Sequence, residues 1–115
     1  MVEEDAIAFI RDVLGSVYSV ELLLLIRRHG SRTWRGGDLV RELRSSATAV
    51  GEALNRLIQA GLVAEQPAGR YGFAPSSLRH AQLAATIEKL YRNAPISVMK
   101  AIVAAPAGRP RGSEI

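Results

Sequence analysis

The sequence predicts a mainly α-helical domain with one small β-hairpin. Apolar residues recur at helical spacing through most of the chain, whereas from Leu62 to Ala74 the pattern changes to short strand-like runs with Tyr71 and Phe73 at a period of two. The tight-turn triplet Pro67-Ala68-Gly69 separates the two runs. With 115 residues, 48% of them hydrophobic and none of them cysteine, the chain suits one domain whose core needs no disulfides.

Two helices open the chain. The first has an apolar stripe at positions i, i+3, i+4, i+7 and i+8, formed by Ala6, Phe9, Ile10, Val13 and Leu14. Gly15 ends it in the place where a left-handed residue is usual. Ser16 or Ser19 can cap the second helix, whose middle, Leu22–Ile26, is apolar on every side. We therefore expect this helix to be the buried centre of the fold, ending at Gly30.

Two further helices follow a short link, Ser31 to Arg35, which has room for one or two extended residues around Trp34. The third helix begins after Gly36-Gly37, and Ser45-Ser46 both ends it and offers an N-cap to the fourth. Gly61 closes the fourth helix. The link of about three residues between these helices is typical of a helix-turn-helix.

The predicted hairpin comprises strands 62–66 and 70–74. Ser76 or Ser77 then caps a long fifth helix, and Pro95 starts a short sixth helix from Ile96 to Ala104. Residues 106–115 are rich in proline, glycine and arginine, so we expect a disordered basic tail after a domain that spans residues 1–105.

Charge is unevenly distributed along the chain. Residues 1–26 carry a net charge of −4, whereas residues 27–44 hold six arginines against Asp38 and Glu42, a net charge of +4. This stretch indicates either an anionic partner or a solvated, salt-bridged surface.

Several classes of protein do not fit. The acidic N-terminus is unlike a signal peptide, and the longest apolar run, Leu22 to Ile26, is too short to span a membrane. His29 and His80 stand 51 residues apart with no second metal ligand nearby, and no nucleophile or phosphate-loop motif is present. We expect a soluble, cytoplasmic, non-enzymatic protein without metal or cofactor.

Three segments, Val20–Ile26, Gly36–Val40 and Val50–Val63, resemble the bacterial MarR/ArsR-type winged helix-turn-helix regulators. The stretch ALNRLIQAGLV is similar to their recognition helix running into the first wing strand, and the resemblance covers about residues 17–75. It implies a transcription regulator that binds double-stranded DNA, with helix 46–60 in the major groove and hairpin 62–74 as the wing. The absent cysteines put metal sensing of the ArsR kind in doubt.

The resemblance also assigns DNA contacts. On the outward face of the fourth helix, Thr48 suits a thymine methyl or a phosphate, Glu52 a cytosine amino group and Asn55 an adenine. Small Ala47 and Gly51 would permit close approach, and the helix N-terminus near Ser46 favours a phosphate. The candidates for phosphate contacts are Arg32, Arg35, Arg41, Arg44, Arg56 and Arg70.

The apolar terminal helices need cover, which either a second copy or the chain's own core can supply. For a homodimer we expect an interface formed by Phe9, Ile10, Leu90, Tyr91, Ile96, Met99, Ile102 and Val103. An alternative function is a winged-helix protein-interaction module without DNA binding, with a protein partner at the C-terminal helices. Glu52, the short wing and the apolar C-terminal helices favour that alternative.

Overall fold

The computed structural model describes residues 2–104; Met1 and residues 105–115, which include the predicted tail, lie outside the described residues. Within residues 2–104 the chain forms six α-helices, one π-helical turn and three β-strands. In chain order these are α1 (Val2–Phe9), the π turn (Ile10–Leu14), α2 (Val17–Arg28), β1 (Thr33–Arg35), α3 (Gly36–Leu43), α4 (Ala47–Gln59), β2 (Val63–Gln66), β3 (Arg70–Phe73), α5 (Leu78–Asn93) and α6 (Pro95–Val103). The predicted mainly α-helical fold with a hairpin is confirmed.

The first predicted helix ends differently from the expected regular helix. The helix continues as the π turn, which ends with a 2.7 Å hydrogen bond from the Gly15 N–H to the Ile10 carbonyl oxygen. Gly15 adopts the predicted left-handed conformation, with φ of 72°. The wider turn changes the spacing of the apolar stripe, so that Ile10 and Leu14 are fully buried while Val13 is 37% exposed.

Helix α2 lies at the centre of the core, as predicted. Its side chains at Val20, Leu22, Leu23 and Ile26 are fully buried. The same apolar cluster includes Leu14 of the π turn, Leu57 of α4, Ile87 of α5 and Val98 of α6. This one core joins the terminal helices to the central ones.

Serine caps position three helices. Ser16, Ser46 and Ser77 accept hydrogen bonds from backbone N–H groups three residues further on, at 3.1, 3.0 and 3.2 Å. All three serines were among the predicted caps. Helix α6 instead begins with Pro95 at its first position.

The turn between α3 and α4 occupies residues 44–46, the predicted length. Arg44 has a left-handed backbone with φ of 52°, and the Ser45 N–H donates to the Val40 carbonyl at 3.1 Å. This bond closes the C-terminus of α3 and directs the chain into α4.

The three strands form an antiparallel sheet in the order β1-β3-β2. Thr33 pairs with Gly72 on one side of β3, while Val63 pairs with Phe73 on the other. The link around Trp34 is therefore a third strand, longer than the one or two extended residues expected. Its pairing with a strand about forty residues away is a long-range contact that local sequence does not report.

Candidate nucleic-acid interface

Helix α4 divides into a buried and an exposed face. Val50, Ala53, Leu54 and Leu57 are buried against the core. The predicted contact residues on the other face are all exposed, and they are Ser46, Ala47, Thr48, Gly51, Glu52 and Asn55. The predicted orientation of the helix is thus confirmed, and polar side chains with base-reading chemistry share one accessible face.

Gly51 leaves the middle of the exposed face of α4 without a side chain. A Cβ added at Gly51 would meet no atom within 4 Å outside the local helix backbone. Glu52 stands beside it, exposed, and forms no ion pair with any residue in 2–104. The face therefore combines a shallow surface with one uncompensated carboxylate, which would repel a phosphate but can accept a hydrogen bond from a base amino group.

Two arginines, Arg70 and Arg32, contact residues of strand β1. Arg70 donates from Nε to the Thr33 Oγ1 at 2.7 Å and from Nη2 to the Thr33 carbonyl at 3.1 Å. The Arg32 guanidinium lies 3.7 Å from the ring centroid of Trp34, which is buried. Neither guanidinium forms an ion pair with a carboxylate in the described chain.

Asp38 organises the start of α3. Its carboxylate accepts from the backbone N–H of Arg35 at 3.4 Å and pairs with the Arg41 guanidinium three residues later. The side chains of Arg35 and Arg44 are exposed and make no hydrogen bond or ion pair within residues 2–104. These two cations are available for an external anion.

Arg56 differs from the other predicted phosphate contacts. Its Nη1 donates to the Leu14 carbonyl at 3.0 Å, across 42 residues of sequence, and the side chain is partly buried. The structure therefore places this guanidinium against the end of the π turn.

Ion pairing separates the arginines of residues 2–104 into two groups. Every described arginine outside the predicted set pairs with an aspartate or glutamate, and these are Arg11, Arg27, Arg28, Arg79 and Arg92. Of the six in the predicted set, only Arg41 does so. The described arginines without a carboxylate partner therefore lie before and on β1, in the α3–α4 turn, on α4 and on β3.

The β2–β3 hairpin is short. Its exposed turn, residues 67–69, has left-handed backbone at Ala68 and Gly69, with φ of 66° and 68°. Arg70 is the cation beside this turn. Because Arg70 is bound to Thr33, the turn itself extends no free charged side chain towards solvent.

The predicted dimer residues divide into two groups. Ile10 and Leu90 are buried in the chain's own core, and Phe9, Tyr91 and Ile102 pack partly buried against it. Ile96, Met99 and Val103 are 71%, 37% and 79% exposed on α6. Their spacing of three and seven residues places them on one side of the helix, which we call the α6 face. Within residues 2–104 the terminal helices thus fold back on the core yet leave the α6 face open.

A cleft of about 480 Å³ lies between α1, α5 and α6. Glu3, Glu4 and Lys89 contribute to its lining. Lys89 thereby shares this cleft with acidic residues of α1.

Other kinds of site find little support in the described part of the chain. No three His, Asp or Glu side chains of residues 2–104 gather as metal ligands. The helices of this range are too short or too polar to cross a membrane. His80 Nδ1 forms a 2.7 Å hydrogen bond with the hydroxyl of Ser77, the N-cap of α5. The ring of His29 packs edge-on against that of Trp34.

Comparisons of the chain with protein-family models, with curated proteins and with solved structures found no match.

Proposed function

We propose that this chain is a winged helix-turn-helix protein that binds double-stranded DNA and regulates transcription. Helix α4 is the recognition helix in the major groove, the β2–β3 hairpin is the wing, and the chain acts as a homodimer. The element order supports this proposal, because two helices joined by a three-residue turn are followed at once by a hairpin.

The observation that carries the proposal is the group of arginines without carboxylate partners. A phosphate backbone needs guanidinium groups that are not already neutralised. Arg32, Arg35 and Arg44 meet that condition within residues 2–104; Arg32 precedes β1, Arg35 ends β1, and Arg44 lies in the turn that leads into α4. The other described arginines outside the predicted set each lie within 4.0 Å of a carboxylate, and Arg27, Arg28 and Arg92 share that of Glu88.

Base reading falls to the exposed face of α4. Asn55 can bond adenine at two positions, Glu52 can accept from a cytosine amino group, and Thr48 can contact a thymine methyl. Gly51 allows the helix backbone to approach the base edges closely. The short wing adds few contacts to those of α4, so two copies on adjacent half-sites supply the affinity that one lacks.

Fluorescence anisotropy across a salt series tests the proposal. The labelled probe is a random-sequence duplex of about 30 bp, long enough for two half-sites one helical turn apart. Contacts to about five phosphates by each copy predict a log–log salt slope of roughly −4.5 per bound copy. Arg44→Gln and Arg35→Gln should each reduce the magnitude of that slope by about 1.

Lys89→Gln is the matched control, because it removes the same charge from an exposed side chain beside α1. Equal effects of Arg44→Gln and Lys89→Gln would mean that only net charge matters, which contradicts the assigned interface.

A protein-interaction module is the second candidate function, and the exposed α6 face is the observation that favours it. The absence of DNA binding even at low salt would overturn the first proposal in favour of this one.

A further inference from the structure

Arg56 of α4 makes a side-chain hydrogen bond to another element of the fold. Its Nη1 lies 3.0 Å from the Leu14 carbonyl oxygen, at the end of the π turn. That carbonyl is in the last turn of a helical segment, where backbone acceptors lack partners within the helix. A cation at this position satisfies the acceptor and interacts favourably with the helix dipole.

Gly15 makes this contact feasible. It has φ of +72°, and a Cβ at this position would stand 2.7 Å from Nη1 of Arg56. Any side chain here would therefore displace the guanidinium as well as strain the backbone. The space beside Gly15 is filled by Arg56, so the two residues depend on one another.

We propose that Arg56 is a positioning residue for DNA recognition. Its hydrogen bond ties α4 to the π turn, so that the N-terminal helix sets the orientation of α4 without itself touching DNA. This inference rests on the proposed function and deepens it, and it replaces the expectation that Arg56 binds a phosphate. A guanidinium bound to Leu14 and partly buried is poorly placed to reach the DNA backbone.

The effect of the Arg56–Leu14 hydrogen bond on α4 can be measured without DNA by amide hydrogen exchange on the full chain. Arg56→Met keeps the length of the side chain but removes its donors, and Gly15→Ala keeps the charge but displaces it. Both should speed exchange in the last turn of α4 by roughly fivefold, the scale of one lost hydrogen bond. Gly69→Ala is the matched control, because Gly69 also has a left-handed backbone, with φ of +68°, but has no neighbour within 4 Å.

DNA binding then separates positioning from phosphate contact. The probes are a duplex selected from a random library for tight binding to the wild type and a scrambled duplex of equal composition. Positioning predicts that Gly15→Ala and Arg56→Met each weaken binding to the selected duplex by roughly fivefold, with an unchanged salt slope and little effect on the scrambled duplex.

A slope that falls by about 1 on both duplexes in Arg56→Met, with wild-type binding by Gly15→Ala, would overturn the proposal and restore a phosphate contact. Exchange rates in α4 that match the wild type would overturn it as well. If selection with the wild type enriches no duplex, the proposed function fails and this role fails with it. Binding by the wild type that is insensitive to Gly15→Ala overturns the positioning role alone.

Discussion

The hydroxyl of Tyr91 in α5 donates a 2.8 Å hydrogen bond to the carboxylate of Glu21 in α2. Both side chains are half-buried, and the bond joins two helices across 70 residues of sequence. We expect Tyr91→Phe to lower the free energy of unfolding by about 1 kcal/mol, because Glu21 loses its donor while the ring still packs. Chemical denaturation measures this change, and an unaltered midpoint would show that water replaces the hydroxyl without cost.

The same pair predicts a dependence of stability on alkaline pH. Burial first, and then the hydrogen bond and negative charge of Glu21, raise the pKa of Tyr91 above its ordinary value of 10.0. The folded state thus holds this proton more tightly than the unfolded state does. The contribution of Tyr91 is complete below pH 10.0 and is lost as the pH rises through the higher pKa of the folded state. Stability curves of the wild type and Tyr91→Phe should therefore converge at strongly alkaline pH.

Much of the architecture follows from local signals in the sequence. The serine caps, the glycine at position 15 and the apolar spacing of α4 act over a few residues, and sequence reasoning placed each of them correctly. The π turn was not predicted, and the length of β1 was underestimated, because they depend on packing and on pairing with distant β3.

The candidate site shows the same division. Exposure of Asn55 and Glu52 follows from helical periodicity, which the sequence displays directly. The partners of Arg56 and Arg70 are a carbonyl and a threonine that lie 42 and 37 residues away. A sequence does not show whether an arginine side chain is bound within the protein. Only the fold therefore distinguishes Arg56 and Arg70 from Arg44.

Gly51→Ala should separate stability from DNA binding. Gly51 lies inside α4 with open space where a Cβ would go, so alanine is expected to raise the free energy of unfolding by about 0.5–1 kcal/mol. The added methyl group stands on the proposed contact face and should weaken DNA binding by roughly tenfold, the scale of one lost base contact. Thermal unfolding and anisotropy measure the two effects. Tighter binding by the more stable variant would place the DNA on another surface.

Asn55→Ala should flatten sequence preference rather than abolish binding. If Asn55 reads an adenine, its loss removes about 1–3 kcal/mol of discrimination at one base pair and leaves the phosphate contacts unchanged. Selection from a random duplex library, compared between variant and wild type, measures the preference. Gln59→Ala is the control, because Gln59 is equally exposed but lies at the C-terminal end of α4. A preference retained in Asn55→Ala and lost in Gln59→Ala would reverse the assigned direction of the helix in the groove.

The α6 face predicts the oligomeric state. Ile96 and Val103 are 71% and 79% exposed, although removing large apolar side chains from water lowers the free energy. If a second copy covers them, Ile96→Glu and Val103→Glu should each weaken self-association by at least about tenfold, because a charge would be buried without a partner. Leu78→Glu is the matched control, since Leu78 is 74% exposed at the start of α5 and outside the proposed interface. Sedimentation equilibrium distinguishes the outcomes: dimers lost only in the α6 variants support the interface, whereas a wild type that is monomeric at every concentration leaves the face to a different protein.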